Sequence, residues 1–284
     1  MTEPLSFGLI GYPLGHSLSP ELHQTALAEA GLIGIYELYP VAPLPDGKEQ
    51  LESLLNRLRS GELHGLNVTI PHKQSVLPLL DELTPSAAII GAANTLYMKS
   101  DKLVGDNTDA PGFWADLTHL PIQNASSALI LGAGGAARAV VYALLTHGWT
   151  VRITDLRQEQ VDSLYTHYSI QEIDSTKLAV IPFTPQAIEK AGLESDLVVN
   201  ATPMGMHPNI EKCAWPDAIA LPGQACIYDL VYNPMETRLL NHAAATGLPN
   251  RNGLGMLVEQ AALAFEIWTG FSASRLHMLE AVRP

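Results

Sequence analysis

The feature that most constrains this fold is a glycine cluster set between an apolar strand and a helix. Ala128-Leu129-Ile130-Leu131 is wholly apolar, and GAGGAA follows directly at Gly132 to Ala137. The helix that this turn opens is expected to run to about Thr146. The spacing is G-x-G-x-x-A. Gly132 permits the tight turn, Gly134 lets a pyrophosphate approach the backbone, and Ala137 lets helix and strand pack closely. The helix N-terminus then offers free N–H groups to an anion. A tight turn with no ligand is the bland alternative, and a methyltransferase site also uses such a turn. Taken alone, it predicts a nucleotide and leaves the chemistry open.

The next strand, Thr150–Thr154, ends at Asp155, 23 residues after Gly132. A carboxylate there accepts hydrogen bonds from an adenosine ribose and repels a 2′-phosphate, which favours NAD over NADP. Arg157 pulls the other way, because a guanidinium two residues on can contact a 2′-phosphate. The plain alternative for Asp155 is a solvated loop cap.

Short apolar strands alternate with helical patterns along the rest of the chain, so the fold class is α/β with mostly parallel sheets. A first strand at Ser6–Gly11 precedes a helix with Ser19 as its N-cap and Pro20 in its first turn, stopping at Gly31. A strand near Ile35–Tyr39 follows, then a helix over 48–59 with Leu51, Leu54, Leu55 and Leu58 at helical spacing. The stretch GLNVTI (Gly65–Ile70) is a strand, and helices are expected near 74–80 and 85–90, with a hairpin over 94–104. Later strands are expected at 178–182, 196–200 and 225–231. A long helix is expected over about 255–268.

Composition narrows the partners. The 284 residues include 16 Lys and Arg against 29 Asp and Glu, a net charge of −13 that repels nucleic acid and anionic lipid. With 47% hydrophobic and 16% charged residues the chain affords a sizeable core. The start, MTEPLSFGLIG, carries Glu3 and lacks a basic region, so no signal peptide is read. Ser126–Leu145 is the one stretch that imitates a membrane span, and its glycines suit a strand–turn–helix better. Cys213 and Cys226 have no metal or redox spacing and read as reduced thiols of a cytoplasmic protein. The ten histidines show no HxxxH or Cys/His cluster, so no metal is expected.

Few cations means that each one counts. Lys73 follows GLNVTIPH, in a loop just past a buried strand, where α/β proteins place chemistry. Alone it reads as a solvated surface charge. Its companions are HSLSP at 16–20, GAANT at 91–95 and GDNTD at 105–109. Each has a plain structural alternative, a helix cap or a turn; Asp109 alone caps a helix beginning near Pro111. His16 and His72 read as supporting or surface residues.

Together with GAGGAARA, NATPMGM, YDLVYNP and NGLGMLVEQ, these motifs in this order resemble the shikimate dehydrogenase family, including its quinate/shikimate branch, over essentially the whole chain. The resemblance implies a substrate-binding domain at 1–109, completed by C-terminal helices at 253–284. A Rossmann-like dinucleotide-binding domain at 110–252 would be inserted between, with a cleft separating the two. It implies that Ser17 and Ser19 hold a substrate carboxylate, that Thr69, Asn94, Gln260 and Asp109 bind ring hydroxyls, and that Tyr232 reaches the carboxylate. Lys73 and Asp109 would be the catalytic pair: the carboxylate holds the ammonium in place and stabilises its charge while a substrate hydroxyl bridges both. Cofactor contacts would come from Gly132, Ala133, Gly134, Gly135, Ala136, Asp155, Arg157, Thr202, Met204 and Gly253. The implied reaction is reversible reduction of 3-dehydroshikimate to shikimate by a monomer or homodimer.

Two departures pull apart. NADP-preferring members commonly carry Asn-Arg-Thr where this chain has Asp155-Leu156-Arg157, so the cofactor expected is NAD, with NADP as the alternative. The NAD-using quinate/shikimate branch often has threonine where this chain has Ser19, so the substrate expected is shikimate, with quinate as the alternative. A catalytically silent NAD-binding protein is the rival from another class, and a proton donor at Lys73 speaks against it.

Overall fold

The computed structural model describes residues 4–283, so Glu3, used above in reading the N-terminus, lies outside it. The chain divides into two compact units: residues 1–112 with 258–284, and residues 113–257. Among the described residues the strands form two six-stranded sheets.

The first unit contains β1 (Leu5–Gly11), α1 (Ser19–Glu29), β2 (Gly34–Pro40), α2 (Lys48–Arg59), β3 (Gly65–Val68), α3 (His72–Ser75), β4 (Glu82–Leu83), α4 (Pro85–Ile90), β5 (Thr95–Lys99) and β6 (Lys102–Asp106). Its sheet runs β2-β1-β3-β5-β6-β4. β1 pairs parallel with β2 and β3, whereas the β5–β6 hairpin lies antiparallel against β3. Helix α2 shows the periodicity at work: Leu51, Leu54, Leu55 and Leu58 are all buried, on one face, against the sheet's Ile10, Leu66, Leu96 and Leu103. Two expectations need correction. The N-cap of α1 is Leu18, not Ser19, and Ser19 is the buried first helical residue. Lys73 lies in the short helix α3 and not in a loop, because the His72 N–H already donates to the Thr69 carbonyl at 2.9 Å and closes a turn.

His23, on α1, is buried and stacked on Tyr36 with ring centroids 4.3 Å apart and 4° between planes. Burial drives its imidazole from 6.5 down to about 3. The folded protein therefore refuses a proton that the unfolded chain takes up below about pH 6.5. Stability is lost as pH falls from there toward 3, at roughly 1.4 kcal/mol per pH unit. The parent should accordingly lose about 2 kcal/mol of unfolding free energy relative to His23→Phe between pH 7 and pH 5. A pH-independent difference would show that the imidazole takes up a proton in the fold as readily as in the unfolded chain.

After α5 (Asp109–Leu117) come β7 (Ser127–Leu131), α6 (Gly135–Thr146), β8 (Thr150–Thr154), α7 (Gln158–Ser169), β9 (Leu178–Val180), α8 (Pro185–Leu193), β10 (Leu197–Asn200), β11 (Cys226–Asp229), α9 (Arg238–Ala245) and β12 (Asn250–Asn252). Helices α10 (Leu254–Thr269) and α11 (Arg275–Val282) complete the chain. The second sheet is parallel throughout, in the order β12-β11-β10-β7-β8-β9. Chain order reverses between β7 and β10, the switch point at which open parallel sheets bind ligands beyond their carboxyl ends. The apolar stretch at 126–145 resolves into β7, the glycine turn and α6, and no helix among the described residues is long and apolar enough to cross a membrane. Cys213 and Cys226 are free thiols.

Candidate functional site

In the first unit the polar residues gather around Asn94. Lys73 Nζ donates to Asp109 Oδ2 at 2.6 Å, with the two side chains only 12% and 5% exposed. Asn94 Nδ2 lies 3.0 Å from Asp109 Oδ1, 2.9 Å from Thr108 Oγ1 and 3.2 Å from Gln260 Oε1. Its other end, Oδ1, accepts from the Thr108 N–H at 2.7 Å and the Thr95 hydroxyl at 3.1 Å, which fixes the orientation of the amide. Asn94 Nδ2 has two hydrogens facing three acceptors, so it shares them among Asp109, Thr108 and Gln260.

Local sequence explains how these groups are freed for a ligand. Asp109 is the first residue of α5, and the Ala110 N–H is taken by Asn107 Oδ1 at 3.2 Å. Asn107 thus does the capping expected of Asp109, and the Asp109 carboxylate turns to Lys73 and Asn94 instead. Ser17 Oγ accepts from the Ser19 N–H at 3.3 Å, in the first turn of α1. Thr69 is half-buried beyond the end of β3, and its methyl lies over Gly11, where a Cβ would fall 2.3 Å from it.

Several members of the network were not read from the sequence. Asn67, in the middle of GLNVTI, donates to the Asn94 carbonyl at 3.1 Å and to Thr95 Oγ1 at 3.3 Å, and accepts from the Tyr36 hydroxyl at 2.8 Å. An asparagine inside a buried strand must have partners, and that was the available signal. His72, read as a supporting or surface residue, is fully buried beside the lysine: its Nε2 donates to the Val41 carbonyl at 2.9 Å and its Nδ1 lies 3.3 Å from Ser75 Oγ.

In the second unit the glycine turn has the geometry of a nucleotide cradle. Gly132 has φ +115°, and a Cβ there would lie 2.9 Å from the Ala201 carbonyl, so only glycine fits. At Gly134 the opposite holds: no heavy atom lies within 4 Å of an added Cβ. Gly134, Gly135 and Ala136 are partly exposed at the start of α6, whereas Ala133 and Ala137 are fully buried. Backbone N–H groups thus face an approachable surface at a helix N-terminus, which fits a pyrophosphate.

Asp155 stands beside this turn. Its Oδ2 accepts from the Ala133 N–H at 2.9 Å and its Oδ1 from the Arg157 N–H at 2.9 Å. The Arg157 side chain is 66% exposed and its Nε lies 3.6 Å from Asp155 Oδ1. Thr202 spends its hydroxyl inside its own loop, donating to Asn200 Oδ1 at 2.7 Å and accepting from the Met204 N–H at 3.1 Å, which leaves its methyl for any contact outside. Met204 is half-buried against the core of the unit. Gly253 lies against the backbone of Leu230, whose carbonyl oxygen would be 2.1 Å from an added Cβ. Tyr232 is half-buried, and burial pushes its phenol above its usual range.

A parallel dinucleotide-type sheet in one unit and a lysine–carboxylate pair set among amides and hydroxyls in the other make up an NAD(P)-dependent oxidoreductase. Comparison with known proteins gives the family. The family model described as the shikimate dehydrogenase substrate binding domain matches residues 9–96, and that of the shikimate 5′-dehydrogenase C-terminal domain matches residues 253–283. A shikimate dehydrogenase (NADP(+)) of Desulforamulus reducens is 42% identical over 269 residues, covering 94% of this chain and 90% of its own. The crystal structure of shikimate 5-dehydrogenase from Thermus thermophilus, in complex with NADP(H) and shikimate, matches with a TM-score of 0.82 at 36% identity over 98% of both chains. Quinate dehydrogenase from Corynebacterium glutamicum, in complex with NAD, matches with a TM-score of 0.83 at 33% identity, again over 98% of both chains. The chain belongs to the shikimate dehydrogenase family.

Proposed function

We propose that the protein catalyses the reversible reduction of 3-dehydroshikimate to shikimate, with Lys73 and Asp109 as the catalytic pair. The observation that carries this reading is the 2.6 Å Lys73–Asp109 contact joined through Asn94 to Gln260. The ring hydroxyls of the substrate are read as bonding to Asp109 and Gln260, with Asn94 and Thr69 completing the set. Ser17 and Ser19 supply hydroxyl donors for the substrate carboxylate at the start of α1, where the helix N-terminus also favours an anion. Tyr232 is assigned to the carboxylate as well. Lys73 donates the proton that neutralises the alkoxide developing from the ring carbonyl, and takes it back in the oxidising direction. Asp109 anchors the ammonium so that the proton is presented in one direction. The nicotinamide cofactor, when bound, supplies the hydride.

The cofactor site is read as Gly132 to Ala136 for the pyrophosphate, Asp155 and Arg157 for the adenosine ribose, and Thr202, Met204 and Gly253 toward the nicotinamide. We read it as preferring NAD. Two backbone N–H groups hold the Asp155 carboxylate in place, so it cannot swing away from a 2′-phosphate, and Arg157 already stands beside it. Exposed Leu156 offers no charge. The NADP(+) in the name of the Desulforamulus relative argues the other way, and the NAD bound to the Corynebacterium enzyme argues for it.

Initial rates with shikimate or quinate, each with NAD or NADP, test both choices. The expected result is fastest turnover with shikimate and NAD, with kcat/KM for NADP lower by roughly tenfold or more, the worth of about one unfavourable charge contact. Leu156→Arg should narrow that gap. Preference for NADP in the parent would make Arg157, and not Asp155, the deciding group. Faster oxidation of quinate would assign the protein to the quinate-using branch.

A further inference from the structure

The second unit contains a buried carboxylate that the reaction above does not use. Asp229 ends β11 and Asn200 ends β10, paired with each other in the parallel register, and both are fully buried. Asp229 Oδ1 accepts from Asn200 Nδ2 at 2.8 Å and from the Val231 N–H at 3.0 Å. Asp229 Oδ2 accepts from the Thr237 hydroxyl at 2.6 Å. Thr237 is itself buried, and its oxygen caps α9 by accepting from the Leu240 N–H at 3.3 Å.

Asn200 extends the same set of bonds into a second loop. Its Oδ1 accepts from both the N–H and the hydroxyl of Thr202, at 3.0 and 2.7 Å, and its Nδ2 also donates to the Met204 carbonyl at 3.2 Å. One carboxylate thus ties together the loop 201–205, the loop 230–236 and the start of α9. The first loop adjoins the glycine turn at Ala201, and the second carries Tyr232. Neither loop has regular secondary structure of its own, so these bonds set its shape.

We propose that Asp229, Asn200 and Thr237 are positioning residues that hold the 201–205 loop in the shape required by the nicotinamide end of the cofactor and couple it to the Tyr232 loop. The inference rests on the reading above that Thr202 and Met204 lie on the cofactor. Its physical basis is the cost of leaving a buried charged acceptor short of a donor. When Thr237 loses its hydroxyl, Asp229 Oδ2 loses its donor inside the protein. The carboxylate and the Asn200 amide then rearrange to satisfy it, and the bonds shaping the Thr202–Met204 loop move with them. A ligand that needs this loop loses affinity, whereas one that reaches only the glycine turn does not.

The test compares two ligands on the full-length protein by calorimetry: the dinucleotide preferred in the rate grid, and the matching ADP-ribose, with its 2′-phosphate if NADP is preferred, which lacks the nicotinamide. Thr237→Val is expected to weaken the dinucleotide roughly tenfold, the size of one lost charge-assisted hydrogen bond, and to leave ADP-ribose within about twofold. Thr237→Ser, which restores the hydroxyl, should recover the dinucleotide. Equal weakening of both ligands would mean general damage to the unit and overturn the inference, as would no weakening of either. Asp229→Asn keeps the volume and repeats the comparison if Thr237→Val does not fold. Met204→Ala separates the two ideas. If it weakens the dinucleotide while Thr237→Val does not, the coupling is wrong; if it has no effect, the assignment of the loop to the cofactor is wrong and the inference falls with it.

Discussion

Lys73→Ala is expected to lower the rate of shikimate oxidation by roughly 10²–10⁴-fold, the range that a positioned proton donor contributes. The loss should fall on kcat, with KM for shikimate less affected, because proton transfer belongs to the transition state while the ground-state contacts proposed for Asn94 and Gln260 are retained. Truncation also strands Asp109, 5% exposed, with no cation beside it, so part of any lost activity could arise from lost fold. Lys73→Met answers this by keeping the stem of the side chain, and melting temperature is measured alongside. A lysine and carboxylate that act as one unit should also be non-additive: Lys73→Met with Asp109→Asn should cost little more than Lys73→Met alone. Near-normal turnover in Lys73→Met, in a protein that melts normally, would remove Lys73 from the mechanism.

The parts of this site that were legible in the sequence are those whose physics is local. Gly132 had to be glycine because the turn between strand and helix imposes it locally, and the structure gives its positive φ and close approach to Ala201 as the reason. Helix α2 was legible to its end residues because four leucines share one face. Caps were less so. Ser19 and Asp109 both suit an N-cap by residue type, yet Leu18 stands at the N-cap of α1 with no side-chain cap bond, and at α5 the Asn107 side chain takes the Ala110 N–H while the Asp109 carboxylate is held by Lys73 and Asn94.

What sequence pattern left hidden depends on pairing across distance. Asn67 finds its partners at Tyr36, 31 residues back, and at Asn94, 27 residues on, and no local rule predicts either. The antiparallel insertion of the β5–β6 hairpin beside β3 was equally out of reach, although it brings Thr95 opposite Asn67 and so builds the floor of the Asn94 cluster. The hairpin itself was legible, and which strand it would join was not.

The same limit applies most strongly to an ion pair that nothing in the sequence signals, and its removal is the second large effect expected. Asp116, on α5, is 2% exposed in the second unit. Its Oδ2 accepts from the Tyr228 hydroxyl at 2.5 Å and from Arg251 Nε at 2.7 Å, while Arg251 Nη2 donates to Oδ1. Burial and the neighbouring carboxylate push the Tyr228 phenol well above its usual range, so it remains a donor. Asp116→Ala leaves that buried hydroxyl without its acceptor and Arg251 without its counter-ion. The cost is about 3 kcal/mol, at the lower end of the range for a broken buried pair because the Arg251 side chain is 32% exposed. For a unit of this size that is a fall in melting temperature of roughly 6–12 °C. Asp116→Asn, which keeps the volume and one acceptor, should lose less. Adding Arg251→Met to Asp116→Ala should recover part of the loss, since the stranded charge is then gone. Recovery would locate the cost in the uncompensated cation. If the double variant melts lower than Asp116→Ala alone, Arg251 contributes through its packing and not through its charge.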